Sequence, residues 1–309
     1  MDRFATLFPA MTYILFIRLY LCFTPPMSYL DQIPAIMREV AAEKIVPRFQ
    51  ALADHEISTK SGPTDLVTIA DIEAEAELTR ILQDLDPSCA VLGEEAVSRA
   101  EVTLDLFGSH KGAGGVWVID PVDGTSNFAA GNPRFGCMLA LIRGGEVVGG
   151  WIYDIMGDRM AIAQKGAGVE LNGSRVSFTD RAAPASLAET DGFIARKFLP
   201  PVIRPEIEAK LGDIRSYKSY ACAAHDYLAL IEGRRDFSIY TRIKPWDHLA
   251  GSLMMREGGG ESLKWDETPY APSDDWGGLI NTPVKSLWPV IHTHFIAPVM
   301  DKVQSAKRL

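Results

Sequence analysis

A chain of 309 residues with 47% hydrophobic and 23% charged content can bury an ordinary core, so neither disulfides nor a structural metal is needed to fold it. Its formal charge of −9 argues against nucleic acid or an anionic membrane as main partner, while phosphate esters stay compatible if metal ions reverse the local sign. Four scattered cysteines, Cys22, Cys89, Cys137 and Cys222, form no C-x-x-C pair, which excludes a zinc ribbon or disulfide framework and fits reduced thiols in a cytoplasmic protein.

In chain order, Leu7 to Thr24 is an apolar stretch interrupted by Arg18. A central arginine costs about 2.5–3.5 kcal/mol on membrane-insertion scales, and no small-x-small cleavage site precedes Met27. Residues 1–27 therefore read first as an extension outside the fold, with Met27 the functional start. The other readings are a membrane anchor or export signal, or ordinary structure.

From Ser28 to Leu52 the residues Ile33, Ile36, Met37, Val40 and Ile45 trace a helical stripe. Ser58 to Thr68 reads as a polar loop broken by Gly62 and Pro63, followed by a helix from Asp71 to Leu85. Cys89 to Leu92 is a short buried strand stopping at Gly93. Phe107 to Gly115 is a glycine-rich link that lacks the G-K-[ST] ending of a nucleotide-binding loop. Strands are expected at Val116–Asp120, Phe135–Ile142, Val147–Asp154 and Arg159–Gln164, with hairpin turns at Arg143–Glu146 and Leu171–Ser174. Beyond them come a helix Ala221–Glu232, a strand Asp236–Tyr240, a helix Asp247–Glu257, a strand near Leu279 and a helix Val284–Ile296. Such interleaving favours layered α/β sheets.

Acids recur where these elements end. In "WVIDPVDGTSNF" (Trp117 to Phe128) Asp120 and Asp123 close an apolar strand, a costly arrangement unless the charges are compensated. Glu94 and Glu95 follow another strand, Asp71 follows "DLVTIA", and Asp247 opens a helix. Singly, each has a structural explanation: Asp71 and Asp247 as helix N-caps, Glu95 as a loop charge, Asp123-Gly124 as a turn. Together they suit a hard divalent cation such as Mg²⁺, which takes carboxylate and carbonyl oxygens. Pro121 stiffens the turn so that both aspartates face one site, with the Val122 carbonyl between them. Gly124 permits an unusual backbone angle, and Thr125 and Ser126 offer hydroxyls and amides at a helix start, a favourable place for an anion. Metal ligands beside phosphate-binding amides suggest metal-assisted phosphoryl transfer.

These residues resemble the inositol monophosphatase family, lithium-sensitive Mg²⁺-dependent phosphomonoesterases related to fructose-1,6-bisphosphatase. "WVIDPVDGTSNF" is similar to its first signature and "KPWDHLAGSLMMREGG" to its second, with "DLVTIAD" and "GEE" at the expected places. The resemblance runs from about Met27 to Ile296. It implies an α/β fold, a layered α-β-α-β-α sandwich, in one catalytic domain over residues 28–309. Its metal-binding half would span about 28–180 and its C-terminal half about 181–309.

The resemblance also implies two to three Mg²⁺ ions, with Mn²⁺ a substitute. Glu94, Asp120 and the Val122 carbonyl would hold the first, and Asp120, Asp123 and Asp247 the second. Asp71, with Glu94 through water, would support a weaker third. Thr125 with Glu94 would orient an attacking metal-activated water, and the Gly124 and Thr125 amides would hold phosphate, with Ser126 beside them. Lys60 would approach the metals from its loop. A homodimer and inhibition by Li⁺ are implied as well.

The substrate end departs from the pattern. Where inositol-hydrolysing members place an acid, this chain has Tyr240, and "SYACAAHDY" (Ser219 to Tyr227) replaces a small-residue segment. His225 reads as structural, and Arg242 and Lys244 as solvated charges or as contacts to an anionic substrate group. The expected activity is hydrolysis of an inositol 1-phosphate-like monoester, with an aromatic or anionic ester preferred. The alternatives are histidinol phosphate, a sugar bisphosphate or a 3′-phosphonucleotide as substrate, or a non-enzymatic regulatory protein on the same fold.

Overall fold

The computed structural model describes residues 29–306 apart from 61, 63–64, 110–113 and 275. The apolar stretch 1–27 and the middle of the link at 107–115 lie outside the described residues. Helix α1 (Ile33–Val40) comes first, and the expected polar loop contains a short antiparallel pair, β1 (Ile57–Thr59) and β2 (Leu66–Thr68). Helix α2 (Ile69–Leu85) begins two residues before Asp71. Thr68 is its N-cap, and Asp71 sits at the third helical position as the reciprocal partner in a capping box.

Seven strands then pair in chain order: β3 (Ala90–Gly93), β4 (Gly115–Asp123), β5 (Gly136–Arg143), β6 (Glu146–Asp154), β7 (Arg159–Gln164), β8 (Gly168–Leu171) and β9 (Ser174–Val176). Both expected hairpins form, with Arg143 opposite Glu146 and Leu171 opposite Ser174. Short helices α3 (Glu94–Ser98) and α4 (Thr125–Ala129) follow β3 and β4. A second sheet, ordered β11-β10-β12-β14-β13, comprises β10 (Asp191–Ile194), β11 (Ser216–Lys218), β12 (Phe237–Arg242), β13 (Glu261–Lys264) and β14 (Trp276–Thr282). Helices α5 (Arg204–Ala209), α6 (Ala223–Ile231), α7 (Pro245–Glu257) and α8 (Trp288–Ile291) accompany it.

Side-chain alternation explains the layering. Along β4, Trp117 and Ile119 pack with Ile33 and Met37 of α1 and Leu78 and Leu82 of α2. Their neighbours Val116 and Val118 pack on the opposite face with Leu228 of α6 and Leu253 of α7. A strand apolar on both faces must be covered on both. Tyr240 and Leu279 of the second sheet close over the same central helices. Its other face, with Phe237, Ile239 and Ile280, is covered by Ile207 of α5 and Trp288 and Ile291 of α8. The order is therefore helix, sheet, helix, sheet, helix.

Two helical boundaries differ from expectation. Helix α7 starts at Pro245, before Asp247, because proline is at home in a first turn whose N–H groups are unpaired anyway. The expected helix Val284–Ile296 is broken into a tight turn, α8 and a wide π-turn at His292–Ile296. Pro298 follows that π-turn just as Pro47 follows the one at Ala41–Ile45. A proline removes a donor and crowds the carbonyl four residues back, and the preceding turn widens.

Candidate active site

The site lies where β3 and β4 run into α3 and α4. Gly93 ends β3 because a side chain there would meet the buried Glu75 carboxylate at 2.2 Å. Glu75 uses that space to accept the amides of Glu95 and Ala96, both at 2.8 Å, which anchors the start of α3 and the adjacent Glu94.

In β4 the decisive feature is Pro121. Asp120 pairs with Met138 and Asp123 with Gly136, three steps on β4 against two on β5. In an unbroken strand, residues three apart face opposite sides. The extra residue of this bulge restores Asp120 and Asp123 to the same side. Val122 donates its amide to Asp120 Oδ1 at 3.1 Å. Gly124 then turns the chain at φ +88, and a Cβ there would come within 3.0 Å of the Arg134 carbonyl. The turn delivers Thr125 to the start of α4, where its hydroxyl donates to Asp71 Oδ1 at 2.9 Å and lies 3.0 Å from the Val122 carbonyl.

Glu94, Asp120 and Asp247 converge, with one carboxylate oxygen from each lying within 4.8 Å of the other two. Burial, and then the charges of Glu94, Asp123 and Asp247, push Asp120 well above the usual carboxylate range. Asp247 is raised by burial and by Glu94 and Asp123 in turn. Lys60 reaches in to pair with Glu94 at 2.7 Å and Glu95 at 2.6 Å. Burial disfavours its ammonium, but the two glutamates outweigh that and raise its pKa. A crowd of buried carboxylates stays ionised only with positive charge among them. An all-oxygen donor set of this kind fits a hard divalent cation.

The other expected acids stand close behind. Asp71 is buried, and burial lifts its pKa to about 6. Both its oxygens are engaged, Oδ2 by the Thr68 amide and hydroxyl and Oδ1 by Thr125, so it buttresses Thr125. Asp123 lines the same cavity, but its Oδ2 accepts the Ala224 amide at 2.6 Å and the Cys222 thiol at 3.0 Å.

The cavity, of about 220 Å³, has a second wall built from distant segments: Lys197 and Phe198, Asp226 of α6, Tyr240 and Arg242 of β12, and His248 of α7. Ser126 lines it from the α4 side. Tyr240 is buried and donates its hydroxyl to Asp226 Oδ2 at 3.1 Å, so the acceptor that the Tyr240 position lacks stands beside it on α6. Burial pushes His248 down to about 3 and keeps it neutral. Its Nε2 meets the Arg242 carbonyl, which can only accept, so Nδ1 takes the Tyr227 hydroxyl at 3.2 Å. Lys244 is set back at the head of α7, over Trp246. His225 faces Phe135 and Asp154 instead, as expected of a structural histidine.

Sequence reasoning missed Lys197, Phe198, Asp226 and His248. Asp226 alone carried a signal, a carboxylate inside a helix whose nine residues are all buried.

The family model of the inositol monophosphatase family matches residues 30–304. The chain belongs to that family. The inositol-1-monophosphatase of Bacillus subtilis (strain 168) is 30% identical over 231 residues, 74% of this chain and 83% of its own length. The Nus factor SuhB of Vibrio cholerae is 30% identical over 208 residues, 65% of this chain and 73% of its own. Among solved structures, the Thermotoga maritima IMPase superposes with a TM-score of 0.73 at 23% identity, covering 90% of this chain and all of its own. Inositol monophosphatase II from Staphylococcus aureus does so at 0.74 and 23%, over 91% of this chain and 97% of its own. The layered fold is thus shared, and family membership with the acidic cluster supports metal-dependent phosphomonoesterase chemistry in general. Among the described residues no helix is long and apolar enough to cross a membrane.

Proposed function

We propose that this protein hydrolyses a small-molecule phosphate monoester, inositol 1-phosphate-like, with Mg²⁺ as cofactor. The observation that carries this reading is the convergence of Glu94, Asp120 and Asp247 beside the amides that open α4. When bound, such a cation supplies Lewis-acid stabilisation of phosphoryl charge and makes water a better nucleophile at neutral pH. Glu94, Asp120 and the Val122 carbonyl would hold one ion and Asp120, Asp123 and Asp247 another. Asp71 would support a third, and Mn²⁺ would substitute. Thr125, its hydroxyl fixed by Asp71, orients the attacking water together with Glu94. The Gly124 and Thr125 amides hold phosphate oxygens, with Ser126 beside them, and Tyr240 lines the space for the organic group.

Inhibition by Li⁺, a homodimeric assembly and a cytoplasmic setting belong to the same proposal. Phosphate release from inositol 1-phosphate, histidinol phosphate, fructose 1,6-bisphosphate and a 3′-phosphonucleotide tests it, with and without Mg²⁺. Mg²⁺-dependent turnover that stops on chelation supports the reading, and no turnover of any ester overturns it. The Nus factor name of the Vibrio cholerae relative favours a second reading, a regulatory protein on the same fold. The three converging carboxylates weigh for the enzyme, because regulation alone would not require them.

A further inference from the structure

Helix α6 is buried along its whole length, and Asp226, 4% exposed, is its only carboxylate. A carboxylate in such surroundings is held by donors to both oxygens or it is costly. Here one half is satisfied: Oδ2 accepts the Tyr240 hydroxyl. The other oxygen, Oδ1, is buried and has no hydrogen-bond partner among the described residues. The residue lines the cavity that also holds Asp120 and Asp247. Asp226 thus brings an unpartnered acceptor to a substrate-sized cavity, and a donor on the ligand would complete it. Lys197 and Arg242 line the same cavity, and their charges disfavour an ammonium there. That leaves a hydroxyl as the matching donor.

We propose that Asp226 is a specificity-determining residue that reads a hydroxyl on the organic part of the phosphate ester through Oδ1, with Tyr240 fixing the carboxylate's orientation. This rests on the phosphatase reading above. It places the cations and phosphate against the β4–α4 side and the hydroxyl-bearing group against α6 and β12. A purely structural Asp226 would affect all esters alike, whereas a reading residue affects only those that carry the hydroxyl.

The test is steady-state kinetics at saturating Mg²⁺ with inositol 1-phosphate, phenyl phosphate and phosphoethanolamine, on wild type, Asp226→Ala and Asp226→Asn. The ratio of kcat/KM for inositol 1-phosphate to that for phenyl phosphate should fall about tenfold or more in Asp226→Ala, the usual reach of a charge-assisted hydrogen bond. It should fall severalfold in Asp226→Asn, which keeps the side chain's shape and serves alone if the alanine variant does not fold. A ratio unchanged within twofold in the folded variants overturns the inference. A larger loss for phosphoethanolamine than for inositol 1-phosphate overturns it too, by making the donor an ammonium. Wild-type turnover of phenyl phosphate but not of inositol 1-phosphate sinks the hydroxyl reading and spares the phosphatase. Turnover of no ester sinks both.

Discussion

The two walls of the cavity are built on opposite plans. One wall comes from consecutive residues: the bulge of β4, the Gly124 turn and the first turn of α4 supply Asp120, Asp123, Thr125 and Ser126 within seven positions, with Glu94 on the neighbouring strand end. Asp120 is oriented by a short local contact with the Val122 amide, Glu94 and Asp123 by partners farther away in the chain, and their charges crowd one another. The other wall gathers Lys197, Phe198, Asp226, Tyr240, Arg242 and His248 from separate elements, and its single carboxylate, Asp226, is held by the Tyr240 hydroxyl. The first wall concentrates negative charge, as a cation site requires. The second sets one carboxylate and two cations among buried aromatic groups. Under the proposed function, reaction chemistry and substrate choice fall to different kinds of structure, and a change in one wall need not resemble a change in the other.

The largest effect should come from the crowded wall. Asp120→Asn should lower kcat/KM by at least about 100-fold, since even residues one step behind metal ligands matter by 10–100-fold. Its melting temperature without Mg²⁺ should stay at or above the wild type's, because a buried repulsion is removed. Near-normal turnover would break the division of labour outright. Next is a contact outside the cavity that ties the first sheet to α6: Asp154 of β6 faces His225 of α6 at 3.4 Å and pairs with Arg159 at 2.7 Å. Burial alone would raise its pKa, but the His225 and Arg159 contacts outweigh it and hold the carboxyl down at about 2. Its stabilisation is complete above the ordinary value of 3.8 and is lost as pH falls through about 2. Asp154→Asn should therefore cost about 2 kcal/mol at neutral pH, a deficit that closes toward pH 2 in urea titrations. A deficit independent of pH would show that packing, not charge, links β6 to α6.

Smaller effects sharpen the contrast. Gly124→Ala should cost about 1–2 kcal/mol of stability in thermal melts, the ordinary penalty for a side chain in a left-handed conformation, and should weaken turnover of every ester together. Tyr240→Phe removes one hydrogen bond, on the order of 1 kcal/mol, and should show mainly as a raised KM for inositol 1-phosphate. A uniform fall in kcat across esters would mean that Tyr240 serves the chemistry.

The same contrast explains what the sequence discloses. Asp120, Pro121, Asp123 and Gly124 are near neighbours, and the properties that matter are local: a missing donor, a positive φ, an amide at a helix start. The acids, the turn and the start of α4 were all visible in "DPVDGT". The helices start at Ile69 and Pro245, two residues before the positions that Asp71 and Asp247 suggest as caps, because both acids lie inside the first turn. Asp226 and Tyr240 are 14 positions apart, and Asp123 and Ala224 are 101 apart. Their meeting depends on how two sheets clasp α6, which no local pattern encodes. Of the two cations expected as solvated charges or as contacts to an anionic substrate group, Arg242 lines the cavity and Lys244 does not, whereas Lys197 reaches it from another sheet connection.

Asp123 belongs to both worlds. It stands beside the converging carboxylates, yet its Oδ2 holds the Ala224 amide at the head of α6, two residues before Asp226, where a negative charge suits the helix. Any cation drawing on Asp123 competes with that grip, and any ligand seated on Asp226 pulls on the same helix. Thermodynamic reciprocity then requires that whatever factor the cation applies to ester affinity, the ester applies to cation affinity. One carboxylate with two obligations suffices for such cooperation, without a hinge, a lid or a second subunit.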